Sequence, residues 1–137
     1  MQLSPYLHFK GQCEEAFKFY EKALNGKLDF LMTFAKSPMA NQVPADWQTK
    51  VMHATLNAGG VRVMGSDPPP DRYQKPSGFS VAVNLKDAGE ADRVFKALAE
   101  GGAVLMPIQE TFWALRYGML VDRYGIPWMV NCEKPMA

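Results

Sequence analysis

His8 and His53 are the only histidines in this chain of 137 residues. Imidazole is the side chain best suited to move protons or to bind metals near neutral pH. His8 has the strand parity of Ser4 and Tyr6, and His53 lies between apolar residues of another predicted strand. Each could contact a ligand, and each could equally be a structural histidine bonded to a neighbour. Two imidazoles are too few for a catalytic metal, which needs about three or four ligands.

A second mixed group of side chains lies in QETFWALRYG, residues 109–118. Phe112 and Trp113 could cover a ligand with a flat, rigid apolar surface that loses little entropy on binding. Arg116 could pair with Glu110 or bind an anionic ligand through two hydrogen bonds. Alternatively, Trp113 serves packing and the two charges form a surface ion pair of little energy. Both alternatives fit the rim of a binding site, with apolar groups inward and charges outward.

The remaining motifs exclude several kinds of site. Cys13 and Cys132 are not part of a CxxC pair or a Cys/His cluster, so the sequence does not support a zinc site, and we predict two free thiols that are buried or half-buried. The sequence also lacks a Walker-type glycine loop, a GxSxG and a GxGxxG. We therefore predict no cofactor.

Composition and charge are those of an ordinary globular domain. The chain is 47% hydrophobic, and 15 basic and 14 acidic residues leave a net charge of +1. The cations are scattered, which gives no electrostatic case for binding nucleic acid or an anionic membrane. No apolar segment approaches the roughly 18 residues of a transmembrane helix, and the N-terminus lacks the apolar run of a signal peptide. We therefore expect a cytoplasmic protein without membrane contact.

Two apolar stripes at helical spacing predict two amphipathic helices. Asp87 and Glu90 have the spacing of an N-cap and its capping-box partner before the second helix. The pairs Asn25-Gly26 and Gly101-Gly102 are typical of helix ends. The stripes consist of Cys13, Ala16, Phe17, Tyr20, Ala23 and Leu24 in the first helix, and Ala91, Val94, Phe95 and Leu98 in the second.

Strand patterns around these helices predict the order βαβββ twice. The first module covers 1–66 and the second covers 78–137, and Gly26 aligns with Gly102 between them. The proline-rich segment 67–77 is predicted to be a linker without regular structure. We therefore predict an α+β fold in which all 137 residues form a single domain.

In each module, one helix can cover only one face of the predicted sheet. We expect the other faces to form a cleft between the modules, where a small molecule can bind. Methionines in the strands would make this cleft apolar and adaptable; they are Met32, Met52, Met64, Met119 and Met129. Strand parity leaves open whether Trp128 faces the cleft or the helix. The residues expected to bind the ligand are Tyr6, His8, His53, Glu110, Trp113, Arg116 and Trp128.

Several segments resemble a known family, the PhnB-like branch of the vicinal oxygen chelate superfamily. They are SPYLHFKGQCEEAFKFY, HATLNAGGVRVMGSD, QETFWA and DRYGIPWMVN. The superfamily includes glyoxalase I, bleomycin-resistance proteins and extradiol dioxygenases, and this branch is also called a 3-demethylubiquinone methyltransferase-like domain. The resemblance implies tandem βαβββ modules that form a curved mixed sheet around a cleft. It says little about activity, since fold does not fix function.

The resemblance also implies where superfamily enzymes hold a divalent metal. Their ligands are typically His, Gln and Glu, but the matching positions here are Ser4, Met64, Ser80 and Met129. Hydroxyl and thioether groups are poor ligands for the hard and borderline divalent ions that such enzymes use. They cannot offset the free energy that desolvation of the ion costs. We therefore predict a site without metal.

These observations favour a metal-free protein that binds a small, partly aromatic or amphipathic molecule, as drug-sequestering relatives do. The resemblance and the apolar strand edges together imply a homodimer. The alternative is a divalent-metal-dependent lyase, isomerase or dioxygenase that uses His8 or His53 with carboxylates such as Glu110. A structural partner without any ligand is a third possibility. We discount methyl transfer, which needs a cofactor fold that βαβββ modules do not provide.

Overall fold

The chain, seen in a computed structural model that describes residues 1–135, divides into two compact units. Unit 1 is Met1–Gln74, and unit 2 begins at Lys75. Each unit has the element order βαβββ and one four-stranded mixed sheet. The predicted α+β fold of tandem βαβββ modules is thus confirmed, while the assignment of both units to one domain stays a prediction.

Unit 1 is a sheet with one long helix on a single face. The strand order is β1-β4-β3-β2, in which β1 is parallel to β4 and the other pairs are antiparallel. The helix α1 packs on β3 and β2. The elements are β1 (Tyr6–His8), α1 (Cys13–Ala23), β2 (Lys27–Thr33), β3 (Val51–Ala58) and β4 (Val61–Ser66).

Unit 2 repeats this arrangement. Its strand order is β5-β8-β7-β6, in which β5 is parallel to β8 and the other pairs are antiparallel. The helix α2 packs on β7, β8 and β6. The elements are β5 (Val81–Asn84), α2 (Ala88–Ala99), β6 (Ala103–Gln109), β7 (Ala114–Val121) and β8 (Pro127–Glu133). No helix within residues 1–135 is long and apolar enough to span a bilayer.

The apolar stripes form the cores of the two units as predicted. Every predicted stripe position of α1 is buried except Leu24, which follows the last turn. The chain leaves α1 through Asn25, which has a φ of 51° and so ends the helix. All four stripe positions of α2 are buried, and Asp87 Oδ2 accepts a hydrogen bond from the Glu90 N–H at 2.8 Å, as expected for an N-cap.

In each unit, one glycine of the sheet lets the helix approach the sheet closely. A Cβ atom added to Gly65 of β4 would lie 2.7 Å from Phe17 Cε1 of α1. A Cβ atom added to Gly118 of β7 would lie 2.6 Å from Phe95 Cε2 of α2. Both distances are below van der Waals contact, so these two positions require glycine because an aromatic ring occupies the space.

The connecting segments are more ordered than the sequence predicted. The proline-rich segment 67–77 contains a 3₁₀ helix at Pro70–Arg72, so the prediction of no regular structure is wrong there. Proline suits the first position of a helix because its missing N–H would have no partner in any case. Three more 3₁₀ helices lie between β2 and β3, at Phe34–Lys36, Ala40–Gln42 and Ala45–Trp47.

Candidate functional site

The face of the unit 1 sheet opposite α1 presents a row of side chains that crosses all four strands. Strand register aligns one residue from each of the four strands, and laterally paired residues point to the same face. The two end residues of the row, Tyr6 and Phe30, are 40% and 43% exposed. We call this surface the open face of unit 1; its row is Tyr6, Met64, Thr55 and Phe30.

Tyr6 contacts both histidines on this face. The Tyr6 hydroxyl lies 3.0 Å from His53 Nδ1 and donates to it when the imidazole carries its proton on Nε2. The Tyr6 and His53 rings are stacked with centroids 5.6 Å apart, and the His8 ring meets the Tyr6 ring edge-on at 5.4 Å. Phe30 lies 6.0 Å from His53, also measured between centroids. Three of the predicted site residues, Tyr6, His8 and His53, are therefore brought together.

This cluster combines flat apolar surface with titratable nitrogen. Ring faces can stack on an aromatic ligand, and the imidazoles can donate or accept a hydrogen bond at its edge. Phe30 was not among the predicted site residues. Phe30 and Met32 are two residues apart on the predicted strand, and residues two apart on a strand point to the same face. This spacing could have indicated that Phe30 lies on the same surface as Met32.

The open face of unit 2, opposite α2, carries a row of methionines. Met129 of β8 pairs with Met119 of β7, and Met119 pairs with Met106 of β6. The thioether side chain is flexible and polarisable, so adjacent methionines make an apolar surface that adapts to different shapes. Of the five methionines predicted to line a binding surface, Met119 and Met129 thus lie side by side.

The turn before β7 and the first half of β7 together present three aromatic rings. Trp113 meets Phe112 edge-on at 4.8 Å and Tyr117 at 5.2 Å, measured between ring centroids. Trp113 is 44% exposed and Phe112 is 90% exposed. Thr111 fixes the turn, since its Oγ1 accepts a hydrogen bond from the Ala114 N–H at 3.0 Å. That this segment forms the rim of a binding site stays a prediction.

The two charges of this segment have partners that the sequence did not indicate. The ion pair between Glu110 and Arg116, which was one of the alternatives from the sequence, is not formed. Glu110 instead lies 3.0 Å from Lys134 Nζ, and that ammonium holds the pKa of Glu110 below its ordinary value. Arg116 donates from Nε to Asp92 of α2 at 3.0 Å. Arg116 Nη1 also donates to the Leu115 carbonyl at 2.7 Å. Both contacts of the Arg116 guanidinium are therefore to residues of unit 2.

Trp128 lies in the core of unit 2, which corrects its predicted place in the ligand-binding set. Its side chain is 1% exposed, and its Nε1 donates to Asp122 Oδ2 at 2.8 Å. Adjacent strand residues point to opposite faces, so Trp128 and Met129 cannot both line one surface. Met129 takes the open face, and Trp128 packs on the side of α2.

The side chains at the positions implied for metal ligands do not fit a divalent ion. Ser4 precedes β1 and Met64 lies beside Tyr6, while Ser80 precedes β5 and Met129 lies beside Ala82. Hydroxyl and thioether groups do not satisfy such an ion. Within residues 1–135, no three His, Cys, Asp or Glu side chains lie close enough together to hold one.

A hollow of about 470 Å³ in unit 1 lies beside the start of α1. The buried carboxylate of Asp67 lines this hollow, and backbone hydrogen bonds already occupy both of its oxygens. Asp67, 1% exposed, accepts hydrogen bonds at Oδ1 from the N–H groups of Gly11 and Cys13, each at 3.0 Å. Its Oδ2 accepts from the Val51 N–H, also at 3.0 Å. Asp67 therefore ties the start of α1 to the start of β3, which is a structural role.

The chain matches the family model described as 3-demethylubiquinone-9 3-methyltransferase over residues 1–131. Protein YjdN of Escherichia coli (strain K12) is 35% identical over 142 residues, which cover 98% of this chain and 97% of that protein. The crystal structure of protein PA1353 from Pseudomonas aeruginosa is 46% identical, with a TM-score of 0.89 and coverage of 98% and 99% of the two chains.

Two further solved structures are similar to the chain. A Bacillus cereus structure titled putative 3-demethylubiquinone-9 3-methyltransferase, PhnB protein, is 25% identical with a TM-score of 0.80, covering 96% and 99% of the two chains. A glyoxalase/bleomycin resistance protein/dioxygenase from Alicyclobacillus acidocaldarius shares the fold at 15% identity and a TM-score of 0.62, covering 98% and 92%. The chain shares its fold with that glyoxalase/bleomycin resistance protein/dioxygenase, and it belongs to the 3-demethylubiquinone-9 3-methyltransferase family of PhnB-like proteins.

Proposed function

We propose that this protein binds a small, partly aromatic molecule without a metal, and that the open face of unit 1 holds the ring of that molecule. The hydrogen-bonded and stacked pair Tyr6–His53 carries the proposal. Each ring limits the motion of the other, so a flat ligand can stack on an ordered surface at a small entropic cost. His8 and Phe30 extend this surface on either side.

The chemistry of the donor groups supports binding without a metal. Ser4, Met64, Ser80 and Met129 offer neutral oxygen and sulfur at the positions where superfamily enzymes use imidazole and carboxylate. The same thioethers contribute apolar, deformable contact area, which suits an uncharged ring. The exposed Trp113 and Phe112 offer a separate flat apolar surface in unit 2.

The binding proposal is tested with the fluorescent dye 1-anilinonaphthalene-8-sulfonate, whose fused rings probe flat apolar surfaces. We expect saturable fluorescence enhancement in the native protein. In the variants Tyr6→Ala and His53→Ala, we expect the affinity to fall about tenfold, because an aromatic contact contributes roughly 0.5–1.5 kcal/mol beyond the area that it buries.

Phe19→Ala is the matched control, since Phe19 is a half-buried aromatic on α1 and not on the open face. Its dye affinity should equal that of the native protein, and near-ultraviolet circular dichroism should confirm that all variants are folded. Dye binding that is unchanged in both Tyr6→Ala and His53→Ala would contradict the proposal.

Metal content separates the proposal from a metal-dependent lyase, isomerase or dioxygenase. Protein purified without chelators is analysed for Ni, Zn, Mn and Fe by inductively coupled plasma mass spectrometry. We expect less than stoichiometric metal, because the donor groups do not favour a divalent ion. A stoichiometric ion that is lost in His8→Ala or His53→Ala would replace our proposal with the enzymatic alternative.

A further inference from the structure

Ser66 is a buried serine whose hydroxyl group has no partner. Its side chain is 9% exposed, and the hydroxyl forms no hydrogen bond within residues 1–135. Among buried and half-buried side chains of these residues, Asn131 Oδ1 is the one unpaired polar atom that is sealed from solvent, so Ser66 Oγ keeps some accessible surface. Buried polar groups are nearly always paired, and an unpaired one costs free energy. The Ser66 hydroxyl therefore does not stabilise the fold, although it remains accessible from outside.

The Ser66 side chain points to the open face of unit 1. Ser66 is the last residue of β4, and it pairs with His8 of the parallel strand β1. The preceding residue, Gly65, faces α1, since a Cβ atom added there would lie 2.7 Å from Phe17. Successive residues of a strand point to opposite faces. Ser66 therefore lies on the same face of the sheet as Tyr6 and His8.

The strand of Ser66 lies between the strands of the two histidines. In the sheet, β4 is flanked by β1, which carries His8, and by β3, which carries His53. Neighbouring strands are only about 4.7–4.9 Å apart. Tyr6 joins the two imidazoles, because its hydroxyl lies 3.0 Å from His53 Nδ1 and its ring contacts that of His8. The aromatic cluster therefore has one small, unpaired polar group beside it on the same face.

We propose that Ser66 binds an oxygen substituent on the ring of the ligand, so that the site selects oxygen-bearing aromatic molecules over bare hydrocarbon rings. A hydroxyl or carbonyl oxygen has two lone pairs, so it can accept from the Ser66 hydroxyl and from an imidazole N–H at the same time. An ammonium substituent has no lone pair and cannot accept from either group. Ser66 is then a specificity-determining residue, because its hydroxyl gains a partner only when such a ligand is bound.

This inference rests on the proposed function and adds the chemistry of the edge of the ligand. The rings of Tyr6 and His53 bind the flat part of any aromatic molecule, whereas Ser66 acts only on one that carries oxygen. The two proposals therefore fail in different ways. If no aromatic ring binds, the proposed function is wrong. If rings bind equally well with and without the Ser66 hydroxyl, only the role of Ser66 is wrong.

The test is equilibrium dialysis of the full chain against naphthalene and 2-naphthol, which differ by one hydroxyl group. We expect the native protein to bind both compounds. In Ser66→Ala, the affinity for 2-naphthol relative to naphthalene should fall roughly threefold to tenfold, because one hydrogen bond is lost. The affinity for naphthalene itself should not change, which also shows that the variant is folded. A ratio of affinities that is the same in the native protein and in Ser66→Ala would overturn the proposal.

Ser37 provides the matched control, because it is a similarly buried serine of unit 1, at 8% exposure, with a paired hydroxyl. Its Oγ donates to the Phe34 carbonyl at 2.9 Å and accepts from the Met39 N–H at 3.1 Å. Ser37→Ala should therefore lower the urea midpoint and leave the ratio of affinities unchanged. Ser66→Ala should keep or raise the midpoint, because it removes an unpaired buried hydroxyl. A loss of stability in Ser66→Ala as large as that in Ser37→Ala would give Ser66 a structural role and overturn the proposal.

Discussion

Asp67 is a carboxylate in the interior of unit 1, where its environment opposes its charge. Burial raises the pKa of Asp67 above its ordinary value of 3.8, although three backbone N–H donors and Lys50 act in the other direction. Between 3.8 and the raised value, the folded chain binds more protons than the unfolded chain. In that window the contribution of Asp67 to the free energy of unfolding therefore decreases as the pH rises.

The variant Asp67→Asn should reveal this dependence. It loses at least one of the hydrogen bonds from Gly11, Cys13 and Val51, so we expect a destabilisation of roughly 1–3 kcal/mol at about pH 4. At about pH 7 the loss should be smaller, because the contribution of Asp67 to the free energy of unfolding decreases as the pH rises from 3.8 through the raised pKa, whereas asparagine does not titrate. Urea unfolding of both proteins at the two pH values measures the difference, and an equal or larger loss at pH 7 would contradict the expectation.

At the residue scale, local rules predicted which face a side chain takes, but not its partner. Alternation along the first strand placed Tyr6 and His8 on the same face, and the structure agrees. The partner of Arg116 is Asp92, which lies 24 residues away on α2. The sequence spacing could not show this contact, because the packing of a helix against a sheet decides it. The buried Asn131 Oδ1 accepts no hydrogen bond from the described residues. Its surroundings likewise depend on the register between β5 and β8, which the sequence did not show.

At the scale of elements, each helix requires a glycine in the strand beneath it. Gly118→Ala would place a methyl group 2.6 Å from the Phe95 ring, so the ring or α2 must move. We expect a loss of roughly 1–3 kcal/mol in the free energy of unfolding, which is the usual cost of overpacking a core. The urea midpoint, monitored by circular dichroism, measures this loss.

Gly89→Ala is the control for Gly118→Ala. Gly89 lies exposed in the first turn of α2, where alanine favours the helix by up to about 1 kcal/mol. This variant should be as stable as the native protein or more stable. If Gly118→Ala were also neutral, the close approach of α2 to β7 would not contribute to stability as described.

The elements themselves were largely predictable, because helical and strand periodicity record which side chains are buried. All four predicted stripe residues of α2 are buried, and Asp87 caps the helix. The 3₁₀ helix at Pro70–Arg72 was missed, since its three residues carry no apolar period. Trp128 was misplaced because the prediction assigned it and Met129 to one surface, which strand geometry does not allow.

At the scale of the whole molecule, β6 is the feature that favours self-association. It is an edge strand, and its apolar residues Val104, Leu105 and Met106 are 50%, 60% and 38% exposed. An apolar edge strand tends to pair with another chain unless something covers it. We therefore expect a homodimer in which β6 of each copy is buried.

Leu105→Lys should shift the protein from dimer to monomer in sedimentation velocity experiments, because a buried ammonium without a partner opposes association. Val61→Lys is the control, since Val61 is a similarly exposed apolar residue of β4 in unit 1, at 53%. It should leave the dimer intact. A native protein that stays monomeric at every concentration, or a Leu105→Lys variant that stays dimeric, would show that β6 is not the interface.

The two thiols have a practical consequence. Cys13 lies in unit 1 and Cys132 in unit 2, and both are fully buried and free. Burial, Asp67 and Glu14 raise the pKa of Cys13, so that thiol is unreactive while unit 1 is closed. An alkylating reagent can therefore modify each sulfur only when its own unit opens. Mass spectrometry of the two labelled peptides would therefore measure the rate at which each unit opens, without any introduced cysteine.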